Sequence, residues 1–222
     1  MKRTFFAAAS LLIGCSGSAP FPSPGVTSDA GTSTDPDTSV SLCNGYPDGP
    51  YGTRGGMVVR SDLTWQGYPA GTSATAAQTI AAADLFDCDG TKGINAIVFD
   101  VSAEWCAACQ AEAADMKTLL PQYAALGVKV VTLMVQDAAY QPATLTTASA
   151  WKQQYNLHDV SVCADPSFAF QPSGTGSVSL PLEILVDPRT MKIVSTNGGY
   201  MSLYPVSPAA DIVALAKKNG AK

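Results

Sequence analysis

Residues 94–101 form a largely apolar, β-branched stretch that holds one carboxylate, Asp100, and it leads within five residues to Cys106-Ala107-Ala108-Cys109 at the head of an Ala-, Glu- and Leu-rich segment. An apolar run of this kind is buried on both faces of a sheet, and the composition after it favours a helix. The two cysteines are therefore fixed at a strand-to-helix junction. A strand that feeds a helix directly belongs to an α/β arrangement, in which the next strand lies parallel to the first.

The rest of the chain continues the alternation. The helix is expected over Cys106–Leu120, with Pro121 beyond it, followed by a second buried strand at Val128–Val135. Thr144–Tyr155 reads as a helix and Val160–Cys163 as a short strand, which completes βαβαβ. Leu182–Val186 and Ile193–Thr196 flank the turn Asp187-Pro188-Arg189-Thr190, a hairpin separation, and Pro208–Lys218 closes the chain as a helix. Ahead of the central strand, Met57–Arg60 and Leu63–Trp65 are expected to form a hairpin closed by Gly67 and Pro69, with a weak helix at Ala76–Phe86.

The N-terminus carries a different signal. Lys2 and Arg3 precede a short apolar run, Phe5–Ile13, too brief to span the roughly 30 Å of a hydrocarbon core. It ends in Leu12-Ile13-Gly14-Cys15, which resembles the lipobox of bacterial lipoproteins. The resemblance implies cleavage after residue 14, a lipid on Cys15, and a place on the periplasmic face of a bacterial envelope, with Ser16 favouring the outer membrane. Residues 15–41 are then a Ser-, Thr-, Pro- and Gly-rich tether reaching about 30 Å, and 42–222 the folded domain. With 13 basic and 18 acidic side chains the chain has a net charge of −5. Loss of Lys2 and Arg3 leaves 11 basic against the same 18 acidic, a net of −7. Such a chain has no electrostatic reason to bind nucleic acid.

The spacing of Cys106 and Cys109 gives each a part. At the first turn of a helix Cys106 faces unpaired N–H groups and the positive end of the dipole, which stabilise its thiolate and make it the attacking sulfur. Cys109 lies on the same face one turn deeper, placed to close a disulfide and resolve a mixed one. Zinc would need a second such pair or several His, and the sequence has one His, His158, so no metal or cofactor is expected.

Asp100–Trp105 resembles the active-site lead-in of thioredoxins, and the order βαβαβ then ββα is that of the thioredoxin-like fold, a central mixed sheet flanked by helices, here with an N-terminal β-hairpin extension. The resemblance implies that Asp100 is buried beneath the disulfide and relays a proton to the resolving thiol, its pKa raised by desolvation. It implies that Trp105 flanks the cysteines on the substrate side. Pro181, 72 residues after Cys109, matches the family's cis-proline, which gives Leu180 the task of pairing its backbone with an extended substrate. The likeness covers about residues 57–218. It is closer to membrane-anchored TlpA/ResA-type thiol-disulfide oxidoreductases and the AhpC/TSA-related, peroxiredoxin-like superfamily than to minimal thioredoxin. Two departures stand out: Ala107-Ala108 where thioredoxin has Gly-Pro, and Thr132 near where it has a Lys, which weakens the relay. A peroxidase would want a Thr three residues before its reactive Cys, where Ala103 stands, and an Arg, for which Arg189 is no obvious substitute.

Six cysteines remain to be distributed. With Cys15 lipidated and Cys106 paired with Cys109, the favoured bridge is Cys43–Cys88, with Cys163 a buried thiol; a bridge from either to Cys163 is the other arrangement. Glu104 is expected in solvent. These readings converge on a monomeric, lipid-anchored oxidoreductase that exchanges disulfides with cysteine-containing exported proteins and an upstream redox partner. A non-catalytic envelope scaffold and a peroxiredoxin-like peroxidase are the alternatives.

Overall fold

Among the described residues the sheet has seven strands. The computed structural model describes Cys43 and residues 45–171, 178–200 and 209–222, all within the unit Val40–Lys222. The leader, Cys15, the tether to residue 41 and Pro208 lie outside the described residues.

Strands β1 (Thr64–Tyr68), β2 (Gln78–Ala81), β3 (Ala96–Ala103), β4 (Val128–Gln136), β5 (Ser161–Ala164), β6 (Leu182–Asp187) and β7 (Lys192–Gly198) are ordered β2-β1-β5-β4-β3-β6-β7. All eight residues of β3 are buried, as expected of a strand packed on both faces. It pairs in parallel with β4 and antiparallel with β6, and β5 continues the parallel run beyond β4. β3 is the middle of the five strands β5 to β7 in this order. The β1–β2 pair on the β5 side moves the centre of the whole sheet to β4.

Helix α1 (Ala107–Leu126) buries Cys109, Glu112, Ala113, Met116, Leu119 and Tyr123, an i, i+3, i+4 stripe against the sheet. It runs through Pro121, six residues past its expected end at Leu120. The missing N–H of Pro121 costs one backbone hydrogen bond, which is offset by burial of Tyr123 and by a stop at Gly127. Gly127 sits at φ 69°, where its N–H reaches the carbonyls of Tyr123 and Ala124. Helix α2 (Leu145–Gln154) starts at a Thr144/Thr147 capping box, and α3 (Ala210–Lys218) ends with Lys218 3.1 Å from the Asp187 carboxylate. The buried Lys152 ammonium donates to the carbonyls of Pro69, Leu157, His158 and Val160, tying the end of α2 to the loop after β1.

The N-terminal part departs from expectation. The hairpin partners are β1 and β2, with Trp65 opposite Ile80, and Met57–Arg60 contributes only isolated bridges at Val58. The weak helix becomes β2 and one 3-10 turn, Ala82–Leu85. The β-branched pair Thr79-Ile80 finds an open backbone row on β1, whereas helix formation over 76–86 offers almost no buried stripe. Gly67 does not close β1 but lies inside it. There a Cβ would fall 2.5 Å from the Val162 carbonyl oxygen and 2.8 Å from the Cys163 Sγ, so only glycine lets β1 approach β5.

Cys43 and Cys88 are joined, with their Cα atoms 5.5 Å apart. Cys163 is free, and burial pushes its thiol up to about 12. Among the described residues no helix is long and apolar enough to cross a membrane.

The Gly67→Ala variant should be destabilised by ~1–3 kcal/mol through overpacking against Val162 and Cys163. Urea unfolding checks this, and a loss below about 0.5 kcal/mol would mean that β1 and β5 part freely.

Candidate active site

The site begins where β3 ends. The Cys106 N–H donates to the Ala103 carbonyl at 3.1 Å, so the chain turns sharply and Cys106 becomes the N-cap of α1, not a residue of its first turn. Its backbone is extended (φ −81°, ψ 109°), and its carbonyl accepts from Gln110 at 3.0 Å. Its Sγ accepts from the Cys109 N–H at 3.2 Å. The sulfur thus takes the place that a Ser or Asp oxygen holds in an ordinary cap, facing the unpaired donors of the helix. Cys106 and Cys109 are joined as a disulfide. Cys106 keeps 6% of its surface exposed and Cys109 none.

Under this junction lies a group of carboxyls. Asp100, on β3, is buried and accepts hydrogen bonds from the Ser102 hydroxyl at 2.8 Å and the Thr132 hydroxyl at 2.9 Å. Thr132 stands directly opposite Asp100 on β4, so a hydroxyl contact fills the place where the resemblance called for a cation. Desolvation raises the Asp100 pKa, and the bonds from Ser102, Thr132 and Glu112 counter it in part.

Glu112 and Glu183 complete the group, and the sequence reading passed over both. Glu112 lies one turn beyond Cys109 on the buried stripe of α1, and Glu183 pairs directly with Asp100 across β3 and β6. Burial, then the negative fields of Asp100 and Glu183, push Glu112 up to about 11. Glu183 is raised by burial first and by Asp100 second. Glu112 Oε2 has no hydrogen-bond partner among the described residues. The signal for Glu112 was its register with Cys109, Ala113 and Met116. For Glu183 it was an acid within an apolar strand, the same reason that singled out Asp100.

Around the disulfide the predicted rim residues are brought together. Trp105 is 37% exposed, and its indole N–H donates to the Gln136 amide oxygen at 3.0 Å. The Leu180–Pro181 bond is cis and Pro181 is buried, its carbonyl accepting from Gly199 at 2.8 Å. Since Val101 is opposite Leu182, Cys106 and Pro181 leave the same end of the sheet. The amide and carbonyl of Leu180 have no hydrogen-bond partner among the described residues. A cleft of about 320 Å³ beside them is lined by Trp105, Val135, Gln136, Pro166, Phe168 and Leu180 among others. Glu104 is not simply in solvent: its carboxylate accepts from the Ala138 N–H at 2.9 Å and braces the loop after β4.

The remaining candidates sit elsewhere. Arg189 follows β6 at the opposite end of the sheet, 3.0 Å from the Asp87 carboxylate and bonded to the Ile94 and Asn219 carbonyls, so it does not approach the cysteines. His158 is exposed beside Asp159.

The fold that carries this site is shared with known proteins. Residues 70–193 match the AhpC/TSA family model. The chain belongs to the AhpC/TSA family. The AhpC/TSA family is an oxidoreductase family on the thioredoxin-like fold, and that fold agrees with a candidate electron transfer protein from Aquifex aeolicus. This structure is 15% identical, covers 75% of this chain and 96% of its own, and has a TM-score of 0.52. A candidate thiol:disulfide interchange protein DsbE from Chlorobium tepidum is similar at 20% identity, 72% and 94% coverage and a TM-score of 0.46. The AhpC of Enterococcus faecalis is similar at 14%, with 76% and 90% covered and a TM-score of 0.47. No curated protein matches the sequence.

The carboxyl group sets a pH dependence for this AhpC/TSA domain. Glu112 releases its proton near pH 4.5 when unfolded and holds it to about 11 when folded. The folded state therefore binds the extra proton between these values, so the contribution of Glu112 to stability is fully present below pH 4.5 and is lost as pH rises. The slope is up to about 1.4 kcal/mol per pH unit. Lys152, lowered to about 8 by burial, acts in the opposite sense only above that pH. Urea unfolding between pH 5 and 7.5 should show a falling stability in the parent and a shallower slope in Glu112→Gln. Parallel slopes would remove Glu112 as the cause.

Proposed function

We propose that the protein is a thiol-disulfide oxidoreductase, anchored through a lipid on Cys15 at the periplasmic side of a bacterial envelope, that exchanges disulfides with cysteine-bearing exported proteins. The observation that carries the reading is the ordered burial of the pair. Cys106 caps α1 with a sliver of its surface open, and Cys109 is closed off behind it next to buried acids.

In the reducing direction the Cys106 thiolate, stabilised by the helix N-terminus, attacks one sulfur of a client disulfide. The client's other sulfur leaves as a thiolate and takes a proton from solvent. Cys109 passes its proton to Asp100, with Glu112 alongside, and attacks the Cys106 sulfur. The mixed disulfide breaks, the client's second sulfur leaves as a thiolate and takes up the proton that Asp100 received, and the Cys106–Cys109 disulfide stands. Two electrons have moved to the client, and a dithiol upstream partner restores the pair. The backbone of Leu180 holds the client segment by strand pairing. A peroxidase has less support, since Ala103 brings no hydroxyl to the site and Arg189 is held at the other end of the sheet.

Cys109→Ser should accumulate proteins linked covalently to Cys106 and released by dithiothreitol, whereas the Cys106→Ser, Cys109→Ser double variant should hold none. If the single variant captures nothing and the intact pair fails to catalyse insulin reduction, the scaffold alternative stands. Cys15→Ala should shift the protein from the membrane to the soluble fraction of the envelope, and an unchanged membrane fraction would remove the anchor.

A further inference from the structure

Beside the cysteines two aromatic rings are stacked in the open. Trp105 and Tyr140 lie with centroids 4.9 Å apart and planes at 24°. They are two of the four large apolar side chains that are exposed among the described residues, and Tyr140 is 62% exposed. The stack is not anchored in the core, and its outer ring meets solvent.

Tyr140 is held there against a backbone preference. Its φ is 61°, in the left-handed region that bulky side chains rarely adopt and that Gly or Asn would occupy more readily. The loop around it is braced on several sides. The Asp137 carboxylate accepts from the N–H groups of Ala139 at 2.9 Å and Gln141 at 2.8 Å, and the Tyr140 N–H donates to the Asp137 carbonyl at 3.2 Å. The Gln136 amide links the two rings' backbones and side chains: its oxygen takes the Trp105 indole N–H and its nitrogen donates to the Tyr140 carbonyl at 3.2 Å. Glu104 fixes Ala138 in the same loop. An exposed ring on a fixed loop has already given up the freedom that a binding contact would otherwise remove.

Trp105 is also a wall of the cleft that leads to Leu180. No charged side chain lines that cleft among the described residues, and on its far side stands Phe168, a second aromatic residue with a left-handed backbone (φ 51°). Its volume of about 320 Å³ is at the small end of ligand sites, suited to one or two side chains and not to a folded surface. The occupant that must come here is the one that brings a sulfur to Cys106. It can pair with Leu180 only as an extended chain.

We infer that Tyr140 is a specificity-determining residue, which with Trp105 forms an aromatic platform selecting extended client segments that carry an aromatic side chain next to the exchanging cysteine. The inference rests on the oxidoreductase reading and names its substrate class. The stack offers a face to a client ring at the offset spacing aromatic pairs favour, while the uncharged cleft gives a charged neighbour nothing to pair with. Selection is by apolar contact, and the chain's net negative charge plays no part in it.

The test uses two peptides, each joined through its single cysteine to glutathione and differing only in Phe or Ser beside that cysteine. Exchange with the reduced protein is followed by acid quenching and mass spectrometry, with glutathione disulfide as a third probe. The parent should favour the Phe peptide by about tenfold in kcat/KM, a ratio within reach of one aromatic contact. Tyr140→Ala should bring the ratio to within about twofold, and Tyr140→Phe should restore it. A ratio that survives Tyr140→Ala, or equal rates in the parent, overturns the inference and leaves the oxidoreductase reading intact. Parallel loss of both rates at an unchanged ratio also overturns it, because a structural role would do the same. Failure of the parent to exchange with any of the three probes overturns the oxidoreductase reading and this inference with it.

Discussion

Everything in the site depends on the cap at the start of α1. A cysteine sulfur stands where an oxygen normally satisfies the first N–H groups of a helix, and β3, buried along its whole length, leads the chain to it. The same geometry decides which sulfur meets solvent, because the next residue of the pair falls on the buried stripe of the helix. Which sulfur is open and which is closed off thus follows from a single backbone turn.

The acids beneath have the opposite character. Asp100, Glu112 and Glu183 come from three elements, β3, α1 and β6; the first two are buried and the third is half-buried beside them. Among the described residues none has a cation beside it to favour ionisation; hydroxyls of Ser102 and Thr132 contact the first of them instead. A cluster of this kind opposes stability as its members ionise. Such a cost is sustained at sites where protons must be stored close to a reacting group.

Much of this was legible in the sequence, and the parts that were not have physical reasons. β3, the cysteine pair, Asp100 and the β6–β7 hairpin announce themselves locally, through an apolar run, a spacing, an acid out of place and a turn. The β1–β2 hairpin does not, since β1 is chosen as a strand by its neighbour β5, through a glycine whose need is visible only when Cys163 lies across from it. Glu112 was hidden by being a good helix former, and α1 extends past Pro121 because Tyr123 is buried on its stripe and the C-cap comes only at Gly127. Glu104 looked like a solvated acid until the loop after β4 folded back on it. Tyr140 gave no sign at all, as nothing in its neighbourhood foretells a left-handed aromatic.

The bridge between Cys43 and Cys88 has a mechanical consequence. Any pull delivered from upstream of Cys43 enters the domain through a covalent bond at residue 88 and does not unzip β1 from its partners. Residue 88 follows Asp87, whose carboxylate meets Arg189, and that guanidinium grips carbonyls before β3 and after α3. The load path therefore runs into the far end of the sheet and away from the cysteine cap, so that force on the chain's leading end leaves the Cys106–Cys109 pair at rest.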